Sequence, residues 1–129
     1  MGQINFKKNV SYSMDEAIKR AETALKAEGF GVLTRIDFHS KVKEKLGKDI
    51  EPTVILGACS PSLAYEVFMK DRDVTALMPC NVVFRQIENQ KISIEIAKPT
   101  SFLELLEKDE IMPLACDADE ALQRVIAAI

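Results

Sequence analysis

Tryptophan is absent from this 129-residue sequence, tyrosine occurs twice, and acidic residues outnumber Lys plus Arg by 20 to 17. A general nucleic-acid binder needs a basic stripe interleaved with stacking rings, so this composition speaks against that class. No stretch reaches the eighteen or so apolar residues that span a bilayer, and the opening MGQINFKKNV lacks the apolar core of a secretory leader. We therefore expect a cytoplasmic protein with neither nucleic-acid nor membrane partners. Cysteine is scarce as well. Cys59, Cys80 and Cys116 are an odd number and form no C-x-x-C pair, which supports neither a disulfide framework nor a zinc knuckle. Reduced thiols are expected.

The usual catalytic fingerprints are missing too. The sequence contains no G-x-S-x-G and no Walker loop, and Gly29-Phe-Gly31 follows a helical pattern and precedes a strand, the reverse of a dinucleotide fingerprint. His39 is the only histidine, so any Cys–His dyad or mixed metal site must use it. It follows a strand at the start of a charged segment, which favours a solvent-facing role. The residues identify no cofactor or metal, and an enzymatic activity stays open.

What is present is a self-sufficient core. At 47% apolar residues, a chain of this size buries about two-thirds of its unfolded surface, which predicts one domain over residues 1–129. Residues 4–10 alternate Ile4, Phe6, Lys8, Val10 against Asn5, Lys7, Asn9, the period of a half-buried strand. Ser13-Met-Asp-Glu16 fits a capping box, the apolar residues after it fall at helical spacing, and Gly29 stands where a left-handed residue ends the helix. Phe30, Val32, Thr34, Ile36 and Phe38 then mark one face of a second strand, with Arg35 and Asp37 on the other, placed for a cross-strand ion pair.

His39 to Leu46 reads as a short surface helix stopped by Gly47. Pro52 to Ala58 is a β-branched apolar run, the mark of a central strand. Ser60-Pro61 caps a third helix, whose stripe is Leu63, Ala64, Val67 and Phe68. Asn81–Glu88 and Ile92–Ala97 form a hairpin, and helices follow over Pro99–Glu107 and from an Asp117 cap to Ile129. The acids gather late: residues 102–129 hold seven against Lys108 and Arg124, a pattern that suits helix beginnings. The order predicts an α+β two-layer sandwich, a five-stranded mixed sheet with helices packed mainly on one face; a sheet covered on both faces is the alternative. A bare face or edge would be relieved by pairing of two chains.

Gly57-Ala-Cys-Ser-Pro-Ser62 delivers a thiol from a buried strand to the start of a helix, where amides and the helix dipole favour a thiolate or an anion. The plainer reading is that Cys59 is a small buried packing residue, as unreactive cysteines commonly are, and that Ser60-Pro61 is a good helix cap. Cys80 and Asn81 open the next strand. If the two strands are antiparallel neighbours, Cys59 and Cys80 meet at one corner, able to line a pocket, form a reversible disulfide, hold a soft metal or simply fill space. Asn81 offers an amide to a ligand or satisfies local backbone groups.

Taken together, Gly29-Phe-Gly-Val-Leu-Thr34, Ile36-Asp37, Lys45-Leu-Gly47, Ile55-Leu-Gly-Ala-Cys59 with Pro61, and Leu77-Met-Pro-Cys-Asn-Val-Val83 resemble the family catalogued as domain of unknown function 302. The resemblance runs from about residue 5 to the C-terminus. Ser60 departs from the Asn common before that proline; either residue caps a helix, but an amide-specific contact is not carried over. The resemblance implies a small bacterial or archaeal α+β domain that is dimeric, and it implies no activity. The leading expectation is thus a cytoplasmic homodimeric module whose corner, at Cys59, Ser60, Cys80 and Asn81, binds a small molecule or anion. The alternatives are a thiol-based redox or soft-metal protein, using His39 or Cys116 in addition, and a structural partner protein whose cysteines only pack.

Overall fold

Ser13 begins the first helix as its spacing to Glu16 predicts: its Oγ accepts a hydrogen bond from the Glu16 amide at 3.2 Å. Glu16 itself turns to Arg20, 3.1 Å away, so half of the capping box forms. The helix ends at Gly29, whose φ of +83° allows the Phe30 amide to reach the Leu25 carbonyl. A computed structural model describes residues 3–129; residues 1 and 2, at the start of the expected domain, lie outside the described residues. The order is β1 (Asn5–Val10), α1 (Met14–Ala27), β2 (Gly31–Asp37), α2 (Phe38–Leu46), β3 (Thr53–Cys59), α3 (Pro61–Lys70), a 3-10 turn (Arg72–Leu77), β4 (Cys80–Glu88), β5 (Lys91–Ala97), α4 (Pro99–Leu103), a second 3-10 turn (Glu104–Leu106) and α5 (Met112–Ala128).

The strands form one sheet in the order β1-β5-β4-β3-β2. The architecture is α+β, but the sheet is antiparallel at all four pairings rather than mixed. A parallel pair needs a crossover that spans a face of the sheet. The one helix that makes such a crossing, α1, joins β1 and β2, which lie on opposite edges and never pair. Helix α2 buries no residue, so it turns the chain without crossing a face.

Period-two alternation places Val54, Leu56 and Ala58 of β3, Val82 and Phe84 of β4, and Ile92, Ile94 and Ile96 of β5 on one face. Against them pack Ala17, Ile18, Ala21, Ala24 and Leu25 of α1 and Leu122 and Val125 of α5. The alanines let α1 approach the sheet closely. Lys8 of β1 gives its Nζ to the Ile126 and Ala127 carbonyls at 3.2 and 3.3 Å, placing a cation at the negative end of α5, which has no basic residue in its last turn. Across the sheet, Lys7, Asn9 and Asn81 stand exposed. There Glu95 is buried beneath an ion pair with Arg85 and hydrogen bonds from Ser93 Oγ at 3.3 Å and Asn5 Nδ2 at 3.4 Å.

Three local expectations are corrected. A bulge at Leu33 sets Val32 opposite Ala58, on the helix-covered side, while Thr34 and Ile36 oppose Gly57 and Ile55 on the other; an extra residue reverses the alternation. Arg35 and Asp37 pair along their own strand at 3.0 Å, not across strands. Helix α5 starts at Met112, with Pro113 in its first turn, so Asp117 lies inside it and is not its cap.

Candidate functional site

The central strands bring the two thiols together. In β3–β4 pairing Ala58 faces Cys80 and Gly57 faces Asn81, so Cys59 and Cys80 stand one residue out of register at the end where β3 stops and β4 starts. Beyond that end, α3, the 3-10 turn, α4 and α5 build a second apolar cluster around Val67, Val74, Leu103, Ile111 and Ala115. Between the cluster and the sheet lies a cavity of about 50 Å³, several times the roughly 10–15 Å³ that one water needs.

Cys59, Ser60 and Cys80 all line this cavity. Its other walls come from Leu63, Ala64 and Val67 of α3, the Leu77-Met78-Pro79 segment, Phe102 of α4 and Ala118 of α5. Asn81 does not line it. Alternation turns its side chain from that of Cys80, and it stands exposed on the open face of the sheet. Three of the four residues singled out from sequence therefore converge, and the fourth does not. Leu63, Ala64 and Val67 of the expected α3 stripe also wall the cavity, as does Ala118, which lies inside the expected last helix but carries no chemical group that marks it for a site.

Ser60 is the extended residue before α3, but its hydroxyl makes no cap hydrogen bond; Pro61 at the first helical position removes one of the amides that would need it. Gly57 holds the corner tight. A β-carbon there would stand 2.6 Å from Pro79 Cγ and overlap Thr34 Oγ1, so only glycine lets the segment before Cys80 lie on β3.

The electrostatics run against a thiolate. Burial pushes the Cys80 thiol up to about 12, helped by Cys59 and by the Asp119 carboxylate. Burial also raises Cys59. Asp119 is fixed by the first turn of α4, where it accepts from the Thr100 amide at 3.1 Å and the Thr100 hydroxyl at 2.7 Å. Among the described residues, no cationic side chain lines the cavity. Both thiols are thus neutral near pH 7, and the corner presents an uncharged, soft surface.

His39 is remote from it. Its Nδ1 lies 3.0 Å from both the amide nitrogen and the carbonyl oxygen of Thr53, at the opposite end of β3 from Cys59, about 20 Å along the strand. Cys116 is exposed on α5. Neither joins the two thiols in a dyad. Among the described residues, no group of three or more His, Cys, Asp or Glu side chains is placed to hold a metal ion, and no helix is long and apolar enough to cross a membrane.

The model of the family described as domain of unknown function DUF302 matches residues 6–129. Among solved structures, the chain is similar to one described as the crystal structure of uncharacterized conserved protein DUF302 from Bacillus stearothermophilus. That similarity has a TM-score of 0.86 and 34% identity, and covers 98% of this chain and 96% of that one. No curated protein matches.

Proposed function

The chain belongs to the DUF302 family, a family of unknown function, and we propose that it is a single-domain, homodimeric binding module that holds a small uncharged ligand at the Cys59/Cys80 corner. The observation that carries this reading is the cavity itself, walled by apolar side chains and two protonated thiols. A small apolar or thiol-bearing molecule gains from leaving water there. An anion finds no cationic side chain in the lining, so the neutral ligand is the better supported half of the expectation. Three free cysteines suit a reducing compartment, which supports a cytoplasmic setting.

A second reading, a thiol-based redox protein, is favoured by one observation, that Cys59 and Cys80 line the same small cavity. In that case the two thiols exchange with an external disulfide: one S–S bond forms here, and the external partner leaves as two thiols. The raised Cys80 thiol weighs against it, because the attacking species is the thiolate.

Native mass spectrometry of the freshly purified protein tests the leading reading. A dimer carrying a reproducible non-covalent mass, lost when Ala64→Phe fills the cavity, supports it. Protein of the bare mass that also takes up no small apolar probe leaves the cysteines as packing residues only. A mass two hydrogens lower after treatment with a small disulfide, lost in Cys80→Ala, supports the redox reading instead.

A further inference from the structure

The two edges of the sheet are built differently. Edge strand β1 is half covered by α5 and carries Lys7 and Lys8 among flanking asparagines, the polar content that keeps an edge from pairing with another chain. Edge strand β2 has no lysine and no proline, and six of its seven residues are exposed. Val32, Leu33 and Ile36 are 37%, 65% and 45% exposed. The helix that follows, α2, buries nothing. Regular structure with so little of its own to pack against has the makings of half an interface.

We propose that β2 is the seam of a two-fold dimer, in which a second copy's β2 pairs antiparallel with it about Ile36. This deepens the paired state proposed above and rests on it. The register follows from charge. Residues equidistant from the axis oppose each other, so Arg35 of each chain faces Asp37 of the other, and the existing Arg35–Asp37 pair becomes an alternating cluster of four charges. Pairs centred elsewhere on the strand set Arg35 against Leu33 or Ile36 and lose this match.

The opposite face of the strand agrees with the same centre. Ile36 stands beside Ile55, which stands beside Val83, one apolar row across the open face of three strands. Placing Ile36 against its own copy joins the two rows into one that crosses the seam. The two-fold axis runs perpendicular to the sheet, so the ten strands form a continuous sheet with α1 and α5 of both copies on one side. Val32 and Leu33 of each copy then run beside the first turn of the other's α2, which covers Phe38.

Charge exchange tests the register. Arg35→Asp and Asp37→Arg are made separately, and mass in solution is measured by analytical ultracentrifugation for each and for their equimolar mixture, with circular dichroism to show native folding. Both residues are exposed, so the folds are expected to persist. Each variant alone juxtaposes like charges twice and is expected to dissociate about tenfold more readily or further. The mixture pairs opposite charges at both positions and is expected to recover mixed dimers. Variants that stay as dimeric as the wild type, or a mixture that fails to recover, overturn the seam while leaving dimerisation through another surface. A wild-type chain that is monomeric at tens of micromolar overturns the paired state itself.

Discussion

Pro79 and Gly57 are in direct apposition: the Pro79 ring lies so near the Gly57 backbone that a β-carbon on residue 57 would stand 2.6 Å from Pro79 Cγ. This contact fixes where Cys80, the next residue, enters the sheet, and with it the mouth of the cavity. Gly57→Ala must push out Pro79 or Thr34. We expect a loss of about 1–3 kcal/mol in urea unfolding, only partly restored by Thr34→Ala, because the proline remains.

Cys80 makes stability depend on alkaline pH. Its folded-state value, about 12, lies above the ordinary value of 9.0, so between those limits the folded chain holds a proton that the unfolded chain releases. Stability from this group is complete below about pH 9 and falls as pH rises towards 12. Urea midpoints measured from pH 7 to 10.5 should decline above pH 9, and the decline should be shallower in Cys80→Ala, whatever that variant loses from its cavity. Equal slopes in the two proteins would contradict this.

Asp119 links the α4 cap to the same thiol. Asp119→Asn weakens the acceptor of the two Thr100 hydrogen bonds and removes a negative charge that raises Cys80. We expect a stability loss of about 0.5–2 kcal/mol together with faster alkylation of Cys80 at pH 9, read by peptide mass spectrometry. Slower or unchanged alkylation would separate the carboxylate from the thiol.

Glu95 tests the open face. Its carboxylate is buried and accepts from Arg85, Ser93 and Asn5, so Glu95→Ala leaves three donors without their partner. Arg85 is partly exposed and regains water, which limits the loss to about 1–3 kcal/mol. Glu95→Gln should lose less. A thermal-melt double-mutant cycle with Arg85→Ala checks the coupling, which should be clearly favourable.

What the sequence made legible was local. Ser13 ahead of Glu16, Gly29 after the α1 stripe, Pro61 after a buried strand and the two-residue turn between Glu88 and Lys91 each act within a few residues of themselves, and each stands where its spacing predicts. Tertiary placement was less readable. The bulge at Leu33 reversed the faces of Val32 and Ile36 because one unpaired residue carries no compositional mark. Asp117 imitates a cap, yet Pro113 together with Ala115, Ala118, Leu122 and Val125 at helical spacing was the stronger signal. The thiol corner needed β3 and β4 to be antiparallel neighbours, which the long connection through α3 and the 3-10 turn permits but does not dictate. Asn81 was grouped with Cys80 by adjacency, though strand alternation sends neighbours to opposite faces.

Methyl NMR of the native protein during a xenon titration tests whether the Cys59/Cys80 corner, with its cavity of about 50 Å³, accepts a small apolar guest. Saturable shifts are expected on Leu63, Val67 and Leu77, which wall the cavity, with no comparable change at Ile18 or Leu122 in the α1–α5 core. In Ala64→Phe those shifts should disappear while the fold persists. Shifts spread evenly over the protein, or unaltered in Ala64→Phe, would contradict binding at this corner.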